Sequence, residues 1–309
     1  MKKFITNVII FFVLEAVIDL AVGMVGDYLH VHTKGGETKR INDLCLNDQH
    51  DIIVFGSSRA HHHYDTQYLS DSLGLDVYNA GFDGNGVVLA CGLLDLVLDR
   101  YEPKLILYDV MPAFDIYVFG EDNNNIRYLS PLKPYYRQDE VGKIIRKVSN
   151  EEWYKVHSGM IRYNSILLTM WLDCYNSRGE YFKGYEPLYE VYCGEPEKEC
   201  FNYNRIDPIK MECMEHLIAS AQTRGIPIVM VASPNYGEES LLSFEPVIEL
   251  CLQYDVPFLD YYAKPVFMEH KEWYKNPLHL NQTGARIFSG LILREINQML
   301  EKQDNEQSY

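Results

Sequence analysis

Basic residues are scarce in this chain. Its 309 residues carry 28 Lys and Arg against 44 Asp and Glu, a net charge of −16, and no basic stripe interleaved with aromatics occurs anywhere. Phosphate binding needs clustered Lys and Arg, so nucleic acid is excluded as a partner. Cys-x-x-Cys pairs are absent too, which removes the zinc-ribbon class, and no metal or cofactor is expected. The seven cysteines are odd in number. Cys193 and Cys200 flank Gly-Glu-Pro-Glu-Lys-Glu, a loop that can close a small disulfide in an oxidising compartment. Scattered thiols without a role are the plainer account. Internal repeats and low-complexity tracts are also missing. Apolar residues are not: at 47% they support a real core and exclude wholesale disorder.

The N-terminus holds the one long apolar run. Met1-Lys2-Lys3 precedes Phe4 to Val25, densest from Val8 to Leu14. A positive flank followed by an apolar run of about 20 residues reads as a membrane anchor or an export signal. Glu15 and Asp19 interrupt it, and an acidic residue at a spanning-helix centre costs about 2.5–3.5 kcal/mol. Four apart, they share one helix face, which calls for a partner or a watery neighbour rather than lipid. The preferred reading is an uncleaved single-pass anchor in residues 1–28, with residues 29–309 as an α/β domain outside the cytoplasm. A cleavable signal ending near Ala21-Val22-Gly23, giving a secreted or periplasmic protein, is the alternative.

Beyond a polar connector (34–49), apolar runs and helical patterns alternate. Strands are expected at Asp51–Phe55, Leu75–Tyr78, Lys104–Val110, Ile226–Ala232 and Val256–Leu259. Helices are expected at Arg59–Leu73, Gly86–Arg100, Pro208–Arg224, Leu242–Tyr254 and Gln282–Leu300. Short strands separated by helices imply a parallel five-stranded sheet with right-handed crossovers. Residues 113–206 break the rhythm: a Tyr-rich, helical insertion with helices near Asp139–Lys147 and Ile161–Leu172. Insertions of that length after a central strand commonly form a lid or substrate wall. Its aromatics (Tyr117, Tyr128, Tyr135, Tyr136, Tyr181, Tyr185, Tyr189) can stack on sugar rings, but tyrosines more commonly pack a small core of their own.

Two short segments carry the chemistry. Gly56-Ser57-Ser58-Arg59-Ala60 ends the first apolar run as strand, glycine turn and helix start. A hydroxyl there projects at the carboxyl edge of a sheet, beside helix amides that favour negative charge. Asn276-Pro277-Leu278-His279-Leu280-Asn281-Gln282-Thr283-Gly284-Ala285 supplies a histidine just ahead of the last helix.

On these residues the chain resembles the SGNH (GDSL-like) hydrolase superfamily, over roughly residues 50–110 and 225–300. The resemblance implies a flavodoxin-like three-layer fold. Gly56-Ser57-Ser58 stands where Gly-Asp-Ser is usual, which makes Ser58 the nucleophile and His279 its general base. Asn79-Ala80-Gly81-Phe82-Asp83-Gly84 looks like the second block, with Gly84 the better oxyanion donor and Gly81 the second; Asn79 is a candidate for binding substrate. The chain departs from the pattern twice. Asp109-Val110-Met111-Pro112-Ala113-Phe114-Asp115 has no asparagine where the family's third block places one. Asn276 stands where the family has aspartate, and an amide in place of that acid costs about 10⁴-fold in kcat in a serine protease.

Arg59, beside Ser58, either binds an anionic substrate group or caps a loop. His61-His62-His63 reads as surface histidines; on a helix adjacent side chains point about 100° apart and do not converge on one metal. The expected function is a serine esterase or acyl-transfer enzyme acting on ester groups, O-acetyl first among them, on a small substrate or a glycan. The alternative is a catalytically degenerate SGNH-fold binding subunit, or the partner of a membrane O-acyltransferase that receives an acyl group on Ser58.

Overall fold

The computed structural model describes residues 1–118, 124–175, 183–194, 205–237 and 240–307. Tyr181 and Cys200, and with it the Cys193–Cys200 pairing, lie outside them.

Strands β1 (Ile52–Gly56), β2 (Val77–Gly81), β3 (Leu105–Asp109), β4 (Ile228–Ala232) and β5 (Phe258–Asp260) form one sheet. Its order is β2-β1-β3-β4-β5 and every pairing is parallel. Residues of β1 to β4 are buried throughout. With helices on both faces, such strands are continuous apolar runs rather than alternating ones, which is why they stand out in the sequence. Ile52, Val54, Leu105, Leu107, Val229 and Val231 share an apolar core with Phe288, Ile292 and Ile296 of the C-terminal helix Gln282–Gln307. The intervening residues, Ile53, Phe55, Ile106 and Tyr108, face the other side. There the helices Val87–Leu98 and Pro208–Thr223 pack on one another.

The helix expected over Arg59–Leu73 is two, Ser58–His63 and Thr66–Leu73. Asp65 starts the second by accepting the Tyr68 N–H at 3.0 Å. Gly74, at φ +67°, closes it in the left-handed region where a side chain is strained.

Contacts divide the chain into two units: residues 1–47 with 125–179, and residues 48–124 with 180–309. In the first, a 31-residue helix runs from Lys2 to His32. It is the one helix among the described residues long and apolar enough to cross a membrane, by length and composition. Asp19 finds its partners within this unit: it accepts from Ser158 Oγ at 2.5 Å, the Met160 N–H at 2.9 Å and the Gly159 N–H at 3.1 Å. Glu15 is exposed. Gly26 lies against Tyr163, where an added Cβ would come within 2.1 Å of the ring. The expected helix Ile161–Leu172 is again two pieces, Gly159–Tyr163 and Leu167–Tyr175.

The insertion therefore splits. Residues 125–179 build the first unit, whereas the strap of residues 183–194 runs beside the sheet. Tyr117, Tyr128, Tyr135, Tyr136 and Tyr185 are buried and cannot stack on a sugar; Tyr189 is exposed.

Candidate active site

Strand β1 pairs with β2 on one side and β3 on the other, so the direction of winding reverses beside it. In open α/β sheets the crevice at such a reversal, beyond the carboxyl ends of the strands, is where ligands bind. Gly56 ends β1 at φ +143°, and a Cβ there would lie 2.6 Å from the Asp109 carbonyl oxygen. Only glycine fits so close a turn. Ser57 is fully buried behind it, and Ser58, half-buried, opens the next helix at the crevice.

His279 arrives on a small hairpin, β6 (Tyr274–Asn276) and β7 (His279–Leu280). Asn276 pairs directly with His279 across the two-residue turn Pro277-Leu278. That turn is the physical content of the Asn-x-x-His spacing: it sets the amide beside the imidazole. His279 Nε2 lies 2.8 Å from Ser58 Oγ, and His279 Nδ1 lies 3.0 Å from Asn276 Oδ1.

The protons follow from the partners. Asn276 Oδ1 also accepts the backbone N–H groups of Leu278 and His279, each at 3.0 Å. Those two donors identify that atom as the oxygen, so His279 Nδ1 carries the hydrogen and donates it. Nε2 is left as the acceptor for the Ser58 hydroxyl. An amide oxygen thus holds the tautomer that a serine-activating base needs, without a negative charge.

Burial pushes the His279 imidazole down to about 4, with nearby His62 adding to the effect and Asp83 opposing it. The ring is neutral near pH 7 and ready to take a proton. Burial also lowers His62, but the hydrogen bond and charge of Asp83 outweigh it and leave His62 above its ordinary value. Despite its own burial, Asp83 is held far below the carboxylate range by His61 and His62.

Several expected site residues have other work. Arg59 is 1% exposed; it donates to the Val110 carbonyl and lies 3.6 Å from the equally buried Asp109. It sets a positive charge against a buried carboxylate and is closed off from solvent. Asn79 is fully buried. Its Nδ2 donates to the carbonyls of Ala60 at 2.7 Å and Tyr64 at 3.3 Å, which ends the Ser58 helix. The Gly81 N–H is taken by Asn79 Oδ1 at 2.9 Å, and a Cβ on Gly81 would lie 2.4 Å from the His61 nitrogen. Gly81 therefore serves close packing with its N–H already engaged, whereas Gly84 sits at φ +66° in the turn beyond β2.

The histidine triplet is not on the surface. His61, His62 and His63 are 4%, 5% and 0% exposed. The helix that carries them is covered by β2, by the strap and by the C-terminal segment, which no local pattern reveals. His61 and His62 stack at 4.5 Å and both turn to Asp83. His63 turns the other way, into the core. Asp115, in the segment that lacks an asparagine, is a buried cap: it accepts from the Met111 N–H, the Tyr108 hydroxyl and the Val87 N–H. Burial pushes it up to about 6.

No family model matches the chain, and neither does any curated protein. Among solved structures it is similar to one from Streptococcus pneumonia named for platelet activating factor, at 13% identity and TM-score 0.40 over 90% of this chain and 95% of that one. It is also similar to a gut microbial diltiazem-metabolizing enzyme, at 12% identity and TM-score 0.36 over 80% of this chain and 46% of that one. At these scores neither adds to the geometry.

Proposed function

We propose that this chain is a serine esterase or acyl-transfer enzyme of the SGNH type, with Ser58 as nucleophile, His279 as base and Asn276 holding the base. The observation that carries the reading is the Ser58 Oγ–His279 Nε2 distance of 2.8 Å, with the Nδ1 hydrogen fixed on Asn276 Oδ1. Ser58 Oγ attacks an ester carbonyl as its proton passes to Nε2. The carbonyl oxygen becomes an oxyanion held by the amides of Ser58 and Gly84, where each such donor contributes about 3 kcal/mol. The tetrahedral centre collapses, the C–O bond to the alcohol breaks, and His279 returns the proton to the leaving oxygen. Water or a second hydroxyl, deprotonated by His279, releases the acyl group. In this reading the substrate is a short acyl ester, acetyl above all, on a glycan, and an N-terminal anchor holds residues 29–309 outside the cytoplasm; the length and apolar composition of the helix Lys2–His32 support the anchor.

Asn276 favours a second reading, a non-catalytic binding subunit or an acyl-accepting partner of a membrane O-acyltransferase, since the group bonded to His279 Nδ1 is a neutral amide and not a carboxylate. Fluorophosphonate labelling decides between them. The enzyme reading expects the full-length protein to be labelled and to hydrolyse an activated acetyl ester, and Ser58→Ala to abolish both. Equal, background signals from parent and variant would overturn it.

A further inference from the structure

We infer that His61, His62 and Glu186 form a binding site for a divalent transition ion of the Zn²⁺ type beside the Ser58–His279 pair, with Asp83 orienting the two rings. This inference does not depend on the esterase reading.

Three donors converge from two separated segments, and the Asp83 carboxylate of a third segment bonds to both rings. His61 Nδ1 lies 2.8 Å from Asp83 Oδ1, His62 Nε2 lies 3.2 Å from the same oxygen, and His61 Nε2 lies 3.6 Å from Glu186 Oε2. Ligand atoms of His61, His62 and Glu186 all fall within 4.8 Å of one another. Around a tetrahedral Zn²⁺ with bonds of about 2.0–2.2 Å, ligand atoms sit roughly 3.3–3.6 Å apart. A modest rotation of one side chain closes the difference, and the half-exposed Glu186 is free of the packing that fixes the rings.

The second shell is already set. His62 Nδ1 donates to the Glu186 carbonyl at 2.7 Å, which leaves Nε2, the nitrogen facing Asp83, as the ligand. A ring N–H donated to a backbone carbonyl is the usual way a protein fixes a metal-binding imidazole. The two rings are 5% and 7% exposed, whereas the carboxylates of Asp83 and Glu186 are 55% and 50% exposed. Buried nitrogen ligands thus lie under carboxylates that open to solvent, an entry path for the ion. Two imidazoles with one carboxylate, and room for water at the exposed side, suit Zn²⁺, Co²⁺ or Ni²⁺ and not Mg²⁺ or Ca²⁺, which take oxygen shells. An ion here also ties the strap to the helix that begins at Ser58.

The test is Co²⁺ and Zn²⁺ titration of the untagged, full-length protein. Because Cys91, Asp95 and His216 form another group of possible ligands, every measurement is made in a Cys91→Ser background. One equivalent of Co²⁺ should give visible d–d absorption that Zn²⁺ displaces and that excess Mg²⁺ leaves in place. Asp83→Asn and Glu186→Gln, both at half-exposed side chains, should weaken binding by about 10-fold or more, and His62→Ala by about 100-fold or more, since even outer-shell losses cost 10–100-fold. Melting curves of the metal-free variants separate loss of ligand from loss of fold. Binding unchanged in Asp83→Asn and Glu186→Gln, displacement by Mg²⁺, or no binding in the parent overturns the inference.

Discussion

Leu280 donates its backbone N–H to His63 Nε2 at 3.0 Å, deep in the core and one residue beyond His279. With Nε2 accepting, His63 Nδ1 carries the hydrogen and gives it to Ser233 Oγ, 3.0 Å away. The Ser233 and Tyr64 hydroxyls and the Arg59 guanidinium then face the Asp109 carboxylate. A buried polar chain thus runs from the ends of β3 and β4 to the hairpin that carries His279. Burial, followed by the neighbouring charges of His279 and Arg59, keeps His63 well below its ordinary value and therefore neutral.

His63→Leu should leave the Leu280 N–H buried and unpaired, at a cost of about 1–3 kcal/mol. Thermal melts should show the loss of stability, and fluorophosphonate labelling of Ser58 should slow as the hairpin drifts. His63→Gln, which offers an acceptor oxygen in the same region, should recover part of the labelling rate. Identical labelling in parent and His63→Leu would show that the hairpin holds its place by other means.

The outline of this network was only partly legible in the sequence. The strands were legible because burial on both faces makes each a continuous apolar run. The Ser58, Asn276 and His279 positions were legible because a glycine turn and a two-residue hairpin turn impose short spacings. Which polar residues point inward was not. Arg59 and Asn79 neighbour the site in sequence and look like substrate ligands, yet both satisfy buried backbone and carboxylate groups. Conversely, three consecutive histidines look solvated until a strand, a strap and a helix arriving from elsewhere in the chain cover them. The break at Tyr64-Asp65 was hidden for the same reason: Asn79, on β2, ends the first helix.

The pH profile of acyl transfer should reflect a depressed base. The rate of Ser58 labelling requires a neutral His279, so it should rise with pH through a midpoint near about 4 rather than near 6.5. The stability consequence has a definite sign. The folded state resists protonating this ring, so its contribution is complete above pH 6.5 and is lost as pH falls from there to about 4. Stopped labelling over pH 3.5–8, with a chelator present, measures the first effect; a midpoint at or above about 6.5 would contradict the buried-base assignment.

The N-terminal helix should matter to more than location. Full-length protein is expected in the membrane fraction, and removing residues 1–28 should release the chain. The same truncation removes Asp19, whose carboxylate accepts the Gly159 and Met160 N–H groups, and Asp27, which accepts from Tyr163 Oη at 2.6 Å. Limited proteolysis should therefore show residues 125–175 cut faster in the truncated chain. Gly26→Leu, which drives a side chain into the Tyr163 ring, should do the same in the full-length protein while leaving Ser58 labelling intact. Unchanged proteolysis in both would show that these residues hold together without the helix.

Asn276→Asp is the sharpest test of the site. The amide oxygen already receives three N–H groups, from Leu278, His279 and the imidazole itself. A carboxylate oxygen can accept the same three, so the hairpin and the tautomer should both survive the change. What the substitution adds is charge beside the ring. A carboxylate there stabilises the imidazolium formed as Ser58 attacks, and in a serine protease the reverse exchange costs about 10⁴-fold. Turnover of an activated acetyl ester should rise by about ten-fold or more, with most of the gain in kcat, because the charge acts on the transition state and not on substrate binding. The same charge should lift the labelling midpoint above about 4. Asn276→Leu, which removes the oxygen, should lower turnover by freeing the ring to adopt the other tautomer. If Asn276→Asp leaves both turnover and midpoint unchanged while Ser58→Ala abolishes activity, another group already stabilises the imidazolium, and Asn276 is only a turn residue. If Asn276→Asp, Ser58→Ala and the parent all sit at background, Ser58 is not an activated nucleophile, and the binding-subunit reading takes the place of the enzyme.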